Sequence, residues 1–180
     1  CLDISRNGLH LATGGADGRI LIWDLSRGSI VRSLDAHSNY VTGVEFSRDG
    51  KTLMSVSTDH TTKIWDLPSG TVRHTLTGDH MVTSLAMETG RRNLAVGDSE
   101  GMVQFWDVGK GTRVRELDCG DVAISSIQFS LDGKTLAVLS RYFDKLTLWE
   151  VLSGRQLTSL EGDSSSFFSQ AFSPDGSTLW

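Results

Sequence analysis

Residues 41–76 read VTGVEFSRDGKTLMSVSTDHTTKIWDLPSGTVRHTL, and this stretch decides the fold of the chain. Short segments of alternating or continuous apolar residues lie between turn-forming sequences such as Asp49-Gly50, which tolerate the positive φ that tight hairpins need. No window repeats its apolar residues with the spacing of a helix of useful length. We therefore predict four strands here, near Val41–Ser47, Thr52–Ser57, Thr62–Leu67 and Thr71–Leu76.

The same pattern recurs along the chain at intervals of about forty-two residues. Trp23, Trp65, Trp106 and Trp149 are 42, 41 and 43 residues apart, and an acidic residue follows each one. A glycine five residues after each tryptophan and a leucine eleven residues after it keep the same interval. The chain is therefore predicted to be all-β, built from four-stranded antiparallel units that must stack because each has apolar residues on both faces.

Composition and charge exclude several classes of protein. The chain has 180 residues, with 17 Lys and Arg against 22 Asp and Glu and a net charge of −5. No block of basic residues favours direct binding to nucleic acid or anionic lipid, and no apolar stretch approaches the length of a membrane-spanning helix. Two cysteines, Cys1 and Cys119, do not form a disulfide framework. We expect a reducing compartment, the cytoplasm or the nucleus.

These residues resemble the WD-repeat family of β-propellers over essentially the whole chain, because four Trp-Asp or Trp-Glu pairs recur at the interval of such repeats. The resemblance implies a β-propeller of four-stranded blades. Both ends of the chain fall at the same phase of the repeat, so we expect residues 1–180 to be a segment of one larger propeller. The predicted repeat units are approximately 1–36, 37–78, 79–119 and 120–162, with the start of a further unit at 163–180.

The resemblance also implies a hydrogen-bonded structural tetrad in the second unit. In the family, the chain of bonds runs from a tryptophan indole through a hydroxyl and a histidine to an aspartate in a turn. The matching residues are His37, Ser57, Asp59 and Trp65. A serine, a histidine and an aspartate also compose a hydrolase triad, but a hydroxyl within a strand and bonded to an indole is not an exposed nucleophile.

The family commonly binds peptides or proteins on one rim, formed by the loops that enter the innermost strands and by the turns before the structural aspartates. Exposed large side chains there are typical of interface anchors, although packing between blades or lining of the channel is an equally open interpretation. The corresponding residues are Tyr40, Thr42, Thr58, Met81, Thr83, Ser99, Ser125, Tyr142 and Phe168, together with Ala16 and Ala123.

One motif suggests catalysis. Residues 97–101 read GDSEG and match the Gly-x-Ser-x-Gly elbow of serine hydrolases, which requires a strand, a strained turn and then a helix. A strand is predicted after Ser99 instead, so the motif is interpreted as a hairpin turn. The histidines have no metal-ligand spacing with cysteines or acids, and we expect neither a metal nor another cofactor.

We therefore expect a non-catalytic scaffold or adaptor that displays peptide-binding loops on the propeller rim. Its partner is expected to be a protein or peptide within a multi-subunit complex, with neither a membrane nor nucleic acid as a direct ligand. Two alternatives stay open: an RNA-associated propeller in a ribonucleoprotein assembly, and a serine hydrolase acting through Ser99.

Overall fold

The structure, a computed structural model, describes residues 1–88, 93–120, 122–140, 145–161, 172–173 and 178. Within these residues the chain forms sixteen β-strands in four antiparallel sheets of four strands, and no helix. The prediction of an all-β chain of four-stranded antiparallel units is confirmed. The chain divides into two compact units, Cys1–Val82 and Thr83–Trp180, called unit 1 and unit 2 below.

Unit 1 contains two sheets, in each of which the strands pair in chain order. The four strands predicted in residues 41–76 are present, with bounds that differ by at most one residue. The first sheet consists of β1 (Leu2–Ile4), β2 (His10–Gly14), β3 (Arg19–Asp24) and β4 (Ser29–Asp35), and the second of β5 (Val41–Phe46), β6 (Thr52–Ser57), β7 (Thr61–Asp66) and β8 (Thr71–Thr77).

The core of unit 1 lies between its two sheets. Ala12, Ile20 and Ile22 of the first sheet form one apolar cluster with Phe46 and Trp65 of the second. Burial of these side chains is the main stabilising contribution to the unit, at about 1.5–3 kcal/mol for each large side chain. The outer strands β4 and β8 are mostly exposed, so the core depends on the first three strands of each sheet.

Unit 2 repeats this plan with two sheets and a core that includes Phe105, Ile124, Phe129 and Trp149. The strand β9 begins at the last residue of unit 1. The third sheet consists of β9 (Val82–Met87), β10 (Asn93–Asp98), β11 (Met102–Asp107) and β12 (Thr112–Asp118), and the fourth of β13 (Ile124–Phe129), β14 (Thr135–Ser140), β15 (Lys145–Glu150) and β16 (Gln156–Glu161).

The repeated tryptophans share one position in their sheets. In every sheet the pairing between the third and fourth strands shifts register at the tryptophan, and the third strand pairs regularly with the second. Such bulges re-aim a side chain and increase the local twist. The indoles of Trp23 and Trp65 reach the second strand of their own sheets. A buried indole N–H group requires such an acceptor.

Candidate functional site

The connecting segments of unit 1 alternate between the two ends of its strands, because consecutive strands run antiparallel. Residues 15–18, 36–40, 58–60 and 78–81 connect strands at one end, and we call them the rim segments. Residues 5–9, 25–28, 47–51 and 67–70 connect strands at the other end, and we call them the opposite segments. The predicted partner-binding residues of unit 1 lie in or next to the rim segments.

A chain of hydrogen bonds joins two rim segments to the core of unit 1. The indole Nε1 of Trp65 donates to Ser55 Oγ over 2.9 Å, and Ser55 Oγ lies 2.8 Å from His37 Nε2. On its other side His37 Nδ1 lies 3.0 Å from Asp59 Oδ2, which also accepts from the amide of Ser38. The arrangement fits a neutral histidine that accepts from Ser55 and donates to Asp59.

The sequence-based choice of hydroxyl in this tetrad is wrong, because Ser55 and not Ser57 lies between Trp65 and His37. Trp65 pairs across the sheet with Leu53, and its indole reaches the diagonal neighbour two residues further along β6. Ser57 has another role: its Oγ accepts from the amide of Asp59 over 3.0 Å and donates to the carbonyl of Asn39. It therefore supports the same rim segments from a different position.

The acceptor of the tryptophan indole differs among the other sheets, because different residues occupy the diagonal position. In the first sheet Thr13 occupies it, and Trp23 Nε1 donates to Thr13 Oγ1 over 3.0 Å. In the third sheet Val96 stands there, and within the described residues the buried Nε1 of Trp106 has no hydrogen-bond partner. In the fourth sheet Trp149 Nε1 donates instead to Thr147 Oγ1, a neighbour on its own strand.

Burial and hydrogen bonding shift the pKa of both titratable groups in the network. Burial lowers the pKa of His37 below its usual value of 6.5, against the opposing effect of the Asp59 carboxylate. Burial alone would raise the pKa of Asp59, but hydrogen bonds from the Thr61 hydroxyl and the Ser38 amide lower it to about 2. At neutral pH the pair is therefore a neutral histidine and an ionised carboxylate.

Two predicted rim residues of unit 1 present large exposed side chains. Tyr40 is 58% exposed and Met81 is 44% exposed, and each directly precedes the first strand of a sheet. Their main chains lie close together, because Thr42 Oγ1 donates to the carbonyl of Val82 over 2.8 Å. The amide of Thr58 donates to the carbonyl of Tyr40, so the backbone that carries the phenol ring is fixed.

The smaller predicted rim residues are engaged inside their sheets. The hydroxyls of Thr42, Thr83 and Ser125 each donate to the carbonyl of the residue fourteen positions later, on the next strand. In the described residues Thr58 Oγ1 is buried and has no hydrogen-bond partner. The predicted residues Tyr142 and Phe168 lie outside the described residues.

Sequence reasoning missed His60. It has φ of +68°, and within the described part of the chain no other non-glycine residue has a positive φ. Glycines occupy the equivalent turns of the first and third sheets, Gly18 and Gly101, both with positive φ. A histidine in this conformation costs on the order of 1 kcal/mol, and such strain is concentrated at functional sites. The signal available in the sequence was a histidine at the glycine position of the repeat.

A family model matches the chain over residues 1–24 and 28–66, and its description is WD domain, G-beta repeat. The chain belongs to the WD-repeat family of β-propellers. The β-propeller domain of Cps50 (Swd1) from Myceliophteria thermophila superimposes with a TM-score of 0.89 at 20% identity, covering 99% of this chain and 62% of that one. At this identity the likeness establishes the fold alone.

Curated relatives extend the WD-repeat similarity over most of the chain. Autophagy-related protein 16 of Arabidopsis thaliana is 28% identical over 177 residues, covering 94% of this chain and 33% of the relative. The nuclear distribution protein nudF of Emericella nidulans is 35% identical over 174 residues, covering 93% and 39%. The chain thus spans between a third and two fifths of the length of these relatives.

The Gly-x-Ser-x-Gly motif lies in an ordinary turn of the WD-repeat fold. Ser99 is in the segment between β10 and β11, so a strand and not a helix follows it. Ser99 Oγ lies 3.5 Å from a carboxylate oxygen of its neighbour Glu100. This geometry lacks the strand-to-helix turn on which the hydrolase interpretation depends.

The described residues contain no group of three or more histidine, cysteine or acidic side chains placed to hold a metal ion. They also contain no helix with the length and apolar character required to cross a membrane.

Proposed function

We propose that this chain is a non-catalytic scaffold whose rim segments in unit 1 dock a peptide segment of a partner protein. WD-repeat propeller proteins generally act as protein-interaction scaffolds. The observation that carries the proposal is the exposure of Tyr40 and Met81 on neighbouring, fixed backbone. Large exposed side chains of this kind are typical of interface anchors, where a few residues supply most of the binding free energy.

The hydrogen bonds around the rim segments support the proposal because they pre-organise the surface. His37 and Asp59 join segment 36–40 to segment 58–60, and Ser57 and Thr58 add bonds to Asn39 and Tyr40. A surface that is already ordered loses little conformational entropy when a peptide binds. The tetrad therefore serves binding indirectly, by holding the loops that carry the anchors.

We also propose that the partner belongs to a multi-subunit complex, and that the protein works in the cytoplasm or the nucleus. The similarity to Autophagy-related protein 16 and to a nuclear distribution protein supports a role in such assemblies. Both cysteines are free thiols in the structure, which agrees with a reducing compartment. The turn geometry of Ser99 supports the absence of a hydrolase activity.

A phage library of random dodecapeptides, selected against residues 1–180, tests the proposal. We expect peptides that bind the wild-type chain and lose about tenfold or more in affinity when Tyr40→Ala and Met81→Ala are combined. The control pair is Leu131→Ala with Leu152→Ala, which removes two exposed leucines from turns of unit 2. Equal binding by the rim variant and the wild type, or enrichment of no peptide, would contradict the proposal.

A further inference from the structure

The two ends of unit 1 differ in the charge of their connecting segments. The rim segments contain three aspartates and neither lysine nor arginine, whereas the opposite segments contain four basic residues and one aspartate. The acidic residues of the rim segments are Asp17, Asp59 and Asp79; the charged residues of the opposite segments are Arg6, Arg27, Arg48, Lys51 and Asp49.

Two of the three rim carboxylates are accessible to a partner. Asp17 and Asp79 are both exposed, whereas Asp59 is hydrogen-bonded to His37. Arg19 directly follows rim segment 15–18, and it forms an ion pair of 3.2 Å with Asp35. The pair therefore brings little net charge to this end. Lys63 also reaches this end, where its Nζ donates to the carbonyl of Ala36 and its charge offsets that of Asp59. The carboxylates of Asp17 and Asp79 therefore leave net negative charge beside the exposed side chains of Tyr40 and Met81.

The opposite end has the reverse arrangement, because the acidic residues that border its segments are paired with arginines. Asp24 forms an ion pair of 3.7 Å with Arg27, and Asp66 forms one of 2.8 Å with Arg73. Asp49 is exposed, and its carboxylate accepts from the Ser47 hydroxyl and from the amide of Lys51 within the turn. The side chains of Arg48 and Lys51 extend from the same turn and are exposed. A peptide with basic residues is therefore attracted to one end of unit 1 and repelled from the other.

We propose that the rim segments of unit 1 recognise an extended peptide in which lysine or arginine lies next to an apolar side chain. The proposal rests on the proposed function and adds the chemistry of the partner. The apolar side chain packs on Tyr40 and Met81, and the basic groups lie near Asp17 and Asp79. The exposed phenol ring of Tyr40 provides a second favourable surface for a cation.

Two synthetic fluorescein-labelled dodecapeptides test this inference. In one peptide lysines and leucines are separated by glycines and serines; in its twin, glutamates replace the lysines. We expect residues 1–180 to bind the lysine peptide and not its twin, with an affinity that falls steeply as ionic strength rises. Combining Asp17→Asn with Asp79→Asn should lower the affinity for the lysine peptide by about threefold to tenfold at low salt.

The control variant combines Glu116→Gln with Glu161→Gln, which changes the net charge equally but on the outer strands β12 and β16. It should bind the lysine peptide as the wild type does. Equal weakening by both variants, or no preference for the lysine peptide, overturns the inference. If library-selected peptides need Tyr40 and Met81 but are indifferent to Asp17 and Asp79, the inference fails while the proposed function stands.

Discussion

Trp65 and Ser55 lie diagonally across the ladder of β6 and β7, and the indole N–H donates to the serine hydroxyl over 2.9 Å. Trp106 has the same relation to Val96 in the third sheet, where the side chain offers no acceptor. The residue at the same diagonal position therefore completes a polar network in one sheet, and in another, within the described residues, the buried indole N–H has no partner. This difference leads directly to a stability test.

Replacing Val96 by threonine should stabilise the chain by about 1 kcal/mol, because a hydroxyl of nearly the same volume would accept from Trp106 Nε1. The mirror change, Thr13→Val in the first sheet, should destabilise it by a similar amount, since it removes the acceptor of Trp23. Urea unfolding followed by tryptophan fluorescence measures both changes. A destabilising Val96→Thr change would mean that the hydroxyl is buried without reaching the indole.

Asp59→Ala should destabilise the chain by about 1–3 kcal/mol, because His37 and the amides of Ser38 and Thr61 lose their common acceptor. Glu100→Ala, at the matching position of the third sheet, should stay within about 0.5 kcal/mol. There Asp98 already accepts from the amides of residues 100 and 102. Similar shifts in melting temperature for the two variants would contradict this assignment of roles.

The stability of the chain should fall on acidification in two steps. The pKa of His37 is lowered by folding, so the unfolded chain binds more protons and stability decreases as pH falls below 6.5. The pKa of Asp59 is also lowered, to about 2, so a further loss follows as pH falls from 3.8 towards 2. The variant His37→Gln should lack the first step. If this variant still lost stability below pH 6.5, other groups would be the cause of the first step.

An apolar face of the first sheet should cause self-association. Leu2 and Ile4 are 66% and 52% exposed, whereas Val44 and Phe46, forty-two residues later, are 6% and 7% exposed in the core of unit 1. Exposed apolar faces and strand edges favour association in water. Light scattering of residues 1–180 should show oligomers that Ile4→Lys reduces, while Leu152→Lys, in an exposed turn of unit 2, does not.

A monodisperse monomer of the wild-type chain would contradict that prediction. It would mean that the face around Leu2 and Ile4 is covered in solution by other parts of the same chain. Equal reduction of oligomers by both lysine variants would instead show that added positive charge, and not the apolar face, controls association.

Much of the fold was predictable because it depends on repeated patterns. Four tryptophans at regular intervals and hairpin turns such as Asp49-Gly50, where Gly50 has φ of +68°, predict the four strands of residues 41–76 to within a residue. The choice between Ser55 and Ser57 was not predictable in this way. Both residues lie on the same face of β6 because side chains alternate, and only the diagonal reach of the indole distinguishes them.

The binding role of the rim residues stays a prediction, and only their placement in unit 1 can be compared with the structure. The repeat predicts the placement of Tyr40 and Met81, whereas the left-handed conformation of His60 is indicated only by a histidine at a position that is glycine in the first and third sheets. The charge difference between the ends of unit 1 became visible only when the strand bounds assigned Asp17, Asp79 and Arg48 to particular ends. The repeat bounds 1–36, 37–78, 79–119 and 120–162 stay predictions.

Hydrogen exchange of residues 1–180, with and without a saturating library-selected dodecapeptide, tests the central claim most directly. If the rim segments of unit 1 dock the peptide, amides in residues 36–40 and 78–81 should exchange more slowly in its presence, because bound peptide excludes water and restrains local opening. Amides in residues 5–9 and 47–51 should be unchanged. Protection of those opposite segments, with unaltered exchange in the rim segments, would contradict the account.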